Sequence, residues 1–229
     1  MTPRRRICER ERATLTLDLP ALAERYLSAL LERNSHHARR VVDGALQSGV
    51  PIADIYLRVL QPALYELGRR WAAGDVDVAY EHYATAVTER LLTGLADRME
   101  VAPVGGRLAV VACTPGEQHG LGARMVSDFL RAEGWEVAEL GPSTPARDLA
   151  GMVDAERPDV VALSTAIAAH LGDARDAIER LAALDPRPFI AVGGQAWETG
   201  RRPEGADVLT PDVEALVDAL RERFPPRDD

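Results

Sequence analysis

Cysteine is scarce: the 229-residue chain holds two, Cys8 and Cys113. They stand at no metal-site spacing and give no disulfide framework. The sequence also lacks any run of about 18 uninterrupted apolar residues, so no membrane-crossing helix is expected. Positive charge is in deficit, with 27 Lys and Arg against 36 Asp and Glu, a net −9. That balance argues against a broad nucleic-acid-binding face, although it leaves room for a local basic patch. The first residues, Met-Thr-Pro-Arg-Arg-Arg, lead into charge rather than an apolar stretch. No secretion signal is expected, and a cytoplasmic protein is. What is present is apolar material, 46% of the chain, enough for one or two buried cores.

That material changes its period along the chain. Residues 1–18, with Arg4, Arg5 and Arg6 and then alternating Glu and Arg, read as a flexible basic arm. Over 19–100 the pattern is helical. Leu22, Tyr26, Leu30 and Leu31 share one face; so do Val41, Val42, Ala45 and Leu46, and so do Ile55, Val59, Leu60, Leu64 and Leu67. Pro20 and Pro51 suit helix starts, and Gly74-Asp75 breaks the pattern before Asp77 opens another helix. Four helices with short connections predict an antiparallel bundle. Residues 101–106 read as a linker. From 107 to 229 short apolar runs near 107–113, 135–140, 159–163, 188–192 and 207–210 alternate with helical stretches. This α/β alternation predicts a Rossmann-like, flavodoxin-like doubly wound sheet of five parallel strands.

Three short segments fall where such strands end. The first is Thr114-Pro115-Gly116-Glu117-Gln118-His119-Gly120-Leu121-Gly122; Ser164-Thr165-Ala166 begins 42 positions after Gly122, and Gly193-Gly194 begins 27 after Ala166. The carboxyl edge is where sheets of this kind bind ligands. A histidine there, with a carboxylate two residues earlier, suits a metal or cofactor ligand held by its own acid. Gly120-Leu121-Gly122 also suggests a dinucleotide fingerprint, but Met125 stands where its third glycine belongs.

The three segments together resemble the cobalamin-binding motif, in which Asp-x-His-x-x-Gly, Ser-x-Leu and Gly-Gly recur at closely similar distances. The resemblance implies that His119 is the lower axial ligand of cobalt, the nucleotide tail being displaced and buried (base-off binding). Glu117 would hold the other ring nitrogen, where the family usually has the shorter Asp. Gln118, Gly120 and Gly122 complete the first segment. Ser164 or Thr165 would hydrogen-bond the tail, and Gly193 and Gly194 would let backbone approach it closely. Ala166 replaces the usual Leu, a change of packing only.

A second constellation lies in the helical part: Trp71, followed ten positions later by Glu81-His82. Alone it is a core Trp and a charged first turn, where a carboxylate is favoured in any case. Its spacing resembles the bundle motif of the adenosylcobalamin-dependent, light-sensing CarH-type regulators. That resemblance covers residues 20–225 and implies that Trp71 shields the upper axial group while Glu81 and His82 contact the adenosyl moiety. Those regulators carry a MerR-type winged-helix domain, where this sequence reads only as an arm, so direct DNA binding is not expected. Some have a histidine after the Trp that ligates cobalt after photolysis; here it is Ala72. His82, His36, His37 or water would have to substitute, and His170 reads as a polar rim residue.

The expectation is therefore a non-enzymatic cobalamin light sensor acting in signal transduction and transcription regulation. Photolysis of the cobalt–carbon bond would change assembly, as a dimer or tetramer, or change binding to a separate regulatory protein. The alternative is a methyl-corrinoid carrier subunit of a methyltransferase system, which leaves Trp71, Glu81 and His82 unexplained. A cobalamin store would bind the cofactor without any light response.

Overall fold

The computed structural model describes residues 17–197 and 200–225, so the predicted arm, apart from Leu17 and Asp18, lies outside the described residues. The chain divides into two compact units between Leu91 and Leu92, inside one helix.

In the first unit Asp18 caps α1 (Leu19–Leu31) by accepting from Ala21 N at 3.1 Å, and Pro20 sits in the first turn. Asn34 caps α2 (Ser35–Gln47) through His37 N. A continuous rod then runs through α3 (Ile52–Ile55), a π-helical stretch (Tyr56–Leu60) and α4 (Gln61–Ala73). The wider turn precedes Pro62, which has no N–H to continue the α-helical ladder, and Gln61 N bonds back to Tyr56 O. The apolar periodicity marks the rod but not this change of winding within it. Gly74 (φ +81°) ends α4, and α5 (Val78–Ala96) follows. The core holds Leu22, Tyr26, Leu30, Val41, Val42, Ala45, Ile55, Val59, Leu60 and Leu67; Leu31, Leu46 and Leu64 lie at its margin. Tyr26 OH and Thr88 Oγ1, both buried, pair at 2.8 Å across α1 and α5.

The second unit is a doubly wound sheet. Its strands are β1 (Leu108–Cys113), β2 (Glu136–Gly141), β3 (Val160–Ser164), β4 (Phe189–Gly193) and β5 (Val208–Leu209). They lie in the order β2-β1-β3-β4-β5, all parallel. Helices α6 (Leu121–Ala132) and α9 (Val213–Arg223) cover one face, while α7 (Ala146–Glu156) and α8 (Leu171–Ala182) cover the other. The elements begin and end within about two residues of where the apolar runs place them, because buried parallel strands leave an almost unbroken apolar signature. The stretch read as a linker is strapped down: Ala102 N bonds Ala132 O at 2.8 Å and Gly105 N bonds Gly134 O at 3.1 Å. Strand order reverses between β1 and β3, which places the ligand crevice at their carboxyl ends.

Candidate functional site

The segment after β1 sits at that crevice. Glu117 is fully buried, and its carboxylate is saturated by donors. Oε1 accepts from His119 N at 3.0 Å and from His119 Nδ1 at 2.5 Å. Oε2 accepts from Ala166 N and Ile167 N, each at 2.9 Å. Burial alone would push this acid up. The opposing hydrogen bonds, from the His119 ring and then from three backbone amides, win and bring it down to about 2. An ionised carboxylate can only accept, so Nδ1 is the donor, and in the neutral ring the lone pair is then left at Nε2. The His119 side chain is 34% exposed, so the imidazole meets the crevice while its acid stays dry.

The floor of the crevice is a row of small residues. Cys113, Ser164 and Gly193 stand side by side in register on β1, β3 and β4. A Cβ at Gly122 would meet Ser164 Oγ at 3.4 Å. Cys113, passed over in the sequence for its spacing, belongs to this floor, and its Sγ donates to His119 O at 3.7 Å. Burial, with the charges of Glu117 and Glu139 adding to it, pushes its thiol up to about 12, so it acts as a small apolar spacer. Thr114 Oγ1 and Thr165 Oγ1, at the ends of β1 and β3, are buried without a hydrogen-bond partner.

The two glycines of the last segment have separate duties. A Cβ at Gly193 would lie 2.4 Å from Thr210 O, and one at Gly194 (φ +101°) would lie 2.3 Å from Thr165 O. Their missing side chains thus face protein backbone, and they pack the β4 loop against its neighbours. Gln118 is exposed. Gly120 lies against Pro142, and His170, half-buried, lies beside Gly116 (φ +82°), where a Cβ would meet its Nδ1 at 3.0 Å. Sequence reasoning had no signal for the Ala166 and Ile167 amides, because a backbone donor is the same in every residue.

In the helical unit Trp71 lies on the last turn of α4, and Glu81 and His82 lie on the first turns of α5. Glu81 Oε1 accepts from Thr85 Oγ1 at 2.9 Å, which holds the carboxylate in place. His82 is 74% exposed, with Nε2 3.7 Å from Glu81 Oε2. Val78, 48% exposed, precedes them by three and four positions and so shares their helix face. Sequence reading missed it, since one valine at a helix start carries no pattern. A cavity of about 540 Å³ bounded by Leu31, Arg70, Asp75, Val76, Asp77 and Tyr80 occupies this end of the bundle. It belongs to the helical unit, whereas the histidine–carboxylate chemistry belongs to the sheet. His36 and His37 are in the first turn of α2, a different helix from the Trp71 and His82 corner.

These residues fit a corrinoid. Among the described residues no group of three or more His, Cys, Asp or Glu could hold a metal ion. A single imidazole backed by a carboxylate suits a metal whose other positions a macrocycle fills. The small-residue row and the two unpartnered hydroxyls suit a slender group with hydrogen-bonding atoms.

Comparison with known proteins agrees. Residues 107–221 match a B12 binding domain family model, and residues 22–95 match a second one. The chain is 35% identical over 175 residues to the HTH-type transcriptional repressor CarH of Myxococcus xanthus, covering 76% of this chain and 57% of that protein. It thus spans under two thirds of that relative's length. It is also 25% identical over 190 residues to dimethylamine corrinoid protein 3 of Methanosarcina acetivorans, covering 79% of this chain and 87% of the relative. In fold it is similar to the monomethylamine corrinoid protein of Methanosarcina barkeri, with a TM-score of 0.78 at 18% identity over 89% of this chain and 99% of that one. Among the described residues no helix is long and apolar enough to cross a membrane. With its sheet matched from Arg107 to Arg221 and its helices from Leu22 to Leu95, the chain belongs to the B12-binding domain family.

Proposed function

We propose that this chain is a cobalamin light sensor that takes the adenosyl form of the cofactor base-off, with His119 as the lower axial ligand. When bound, that cofactor supplies a cobalt–carbon bond which light cleaves. The chain's own part is binding and readout rather than catalysis. His119 would present Nε2 to the metal, and Glu117, ionised, would keep the proton on Nδ1 and the ring in one orientation. Thr114, Ser164 and Thr165 would supply hydroxyls, while Cys113 and Gly193 keep the floor low. In the helical unit Trp71, Val78, Glu81 and His82 would meet the adenosyl group. Losing those contacts would release whatever packing they favour, and assembly or affinity for a regulatory partner would change with it.

The observation that carries the sensor reading is the corner of Trp71, Glu81 and His82. It places a tryptophan, a held carboxylate, an exposed imidazole and an exposed valine at one end of the bundle. A carrier that needs only the lower ligand leaves that corner without a task. The test is gel filtration with absorbance on chain loaded with adenosylcobalamin in darkness, before and after green light. A spectral change with a shift in mass is expected. Photolysis with no shift would remove self-association as the output.

The second reading is a methyl-corrinoid carrier, favoured by the similarity to a dimethylamine corrinoid protein over 79% of the chain. The two readings differ in selectivity. For a sensor, Trp71→Ala is expected to weaken adenosylcobalamin by about tenfold while sparing methylcobalamin, since a buried aromatic contact is worth roughly that factor. Equal affinities for both forms, unmoved by Trp71→Ala in titration calorimetry, would favour the carrier.

A further inference from the structure

The turn between β2 and α7 grips the His119 segment at three points that the motif does not name. Ser143 Oγ accepts from Gly116 N at 3.1 Å, and Ser143 N donates to Glu117 O at 2.9 Å. Pro142 lies under Gly120, whose Cβ, if present, would meet Pro142 Cγ at 3.3 Å. Gly116 and Gly120 bracket Glu117 and His119, so one turn holds the segment on both sides of the ligand pair.

Getting the turn there requires irregular backbone. The β1–β2 register shifts between Val111 and Ala112, so that Ala112 pairs with Gly141 and Leu140 is passed over. Gly141 then takes φ +70°, which costs a glycine little, and Ser143 takes φ +55°. A left-handed serine crowds its Cβ against the following carbonyl, and it persists where the surroundings over-determine it. Here the two hydrogen bonds to the His119 segment are what hold it.

We propose that Ser143 is a positioning residue for His119. It touches no cofactor and acts through the main chain of Gly116 and Glu117. The labour is divided between two loops: the Ala166 and Ile167 amides fix the carboxylate, and Ser143 fixes the backbone that carries it. This rests on the cobalamin reading for its consequence and not for its geometry.

The decisive variant is Ser143→Gly, which removes Oγ, keeps the N–H and relieves the left-handed backbone. A residue that merely completes the turn would leave the His119 segment unchanged and the protein no less stable. The measurements are amide hydrogen exchange at Gly116 and the ring-nitrogen shifts of His119, by NMR, on the cofactor-free chain. They are followed by a hydroxocobalamin titration read by absorbance. Gly116 exchange is expected to rise about tenfold, the worth of one lost hydrogen bond. The His119 ring should drift towards mixed tautomers, and histidine-ligated binding should weaken by about five- to tenfold. Ser143→Asn tolerates the left-handed backbone and offers a side-chain oxygen to Gly116, so it should restore slow exchange. Gly116 exchange and His119 shifts unmoved in Ser143→Gly would overturn the proposal. A parent chain that binds no cobalamin would instead sink the cobalamin reading, and the cofactor-free spectra would still decide Ser143.

Discussion

Glu117→Ala is expected to lower the unfolding free energy of the cofactor-free chain by about 3 kcal/mol, since each donor stranded in a dry site costs roughly 1–3 kcal/mol. The change strands the amides of Ala166, Ile167 and His119 and frees the His119 ring to choose its tautomer. Cobalamin affinity should fall with it by about 10- to 100-fold, the usual effect of removing the acid behind a metal-bound histidine. Urea unfolding measures the first effect and a hydroxocobalamin titration the second. A stability loss well under about 1 kcal/mol would mean that water replaces the carboxylate at no cost, and that the site is wetter than its burial indicates. The acid's depressed titration fixes how this stabilisation depends on pH. Its contribution is complete above the ordinary value of 4.5 and is lost as pH falls towards about 2. The gap between parent and Glu117→Ala should therefore narrow in acid. Glu117→Asp is the informative companion. The longer glutamate spans from the His119 ring to the β3–α8 loop, and aspartate can serve His119 while losing its hold on Ala166 and Ile167. Its stability should fall more than its tautomer control.

How far the site was legible in the sequence follows from which groups do the work. Val110, Val161 and Ile190 sit in unbroken apolar runs, so the strands, their parallel order and the crevice at their ends could be argued from pattern alone. Glu117 and His119 were legible because their chemistry resides in side chains two positions apart. The Ala166 and Ile167 amides were not, since alanine and isoleucine advertise nothing of their N–H groups. Ser143 was hidden for a related reason: its role depends on a register shift at Val111 and a left-handed backbone that a serine does not announce. Cys113 was set aside on spacing because only strand register shows it beside Ser164 and Gly193. Gly193 and Gly194 were read as letting backbone approach a nucleotide tail, whereas the space their side chains would fill is taken by the protein's own backbone at Thr210 and Thr165.

That last point carries the second large expectation. Gly194→Ala should cost about 2–5 kcal/mol, made of roughly 1–2 kcal/mol for a backbone that L-residues avoid and roughly 1–3 kcal/mol for overpacking. The added Cβ would fall 2.3 Å from Thr165 O, 2.8 Å from Thr165 C and 2.9 Å from Thr165 N. All three are backbone atoms and cannot swing aside as a side chain would. The β4 loop is tied to this backbone by Thr165 N to Gly193 O at 2.9 Å and Ala196 N to Thr165 O at 3.2 Å. Pushing Thr165 away therefore also moves Ala166 and Ile167, the two donors that hold Glu117 Oε2. The damage should travel two loops to His119: Gly194→Ala should show disturbed His119 ring shifts and weaker cobalamin binding as well as lower stability. Gly193→Ala makes the control. Its Cβ would strike Thr210 O at 2.4 Å, at the end of β5, so it should destabilise with a smaller disturbance at His119, one passed only through the Thr165 N to Gly193 O bond. If both variants lose stability and both leave the His119 shifts unmoved, the three strand-end loops do not act as one support. The histidine would then be held by its own segment alone.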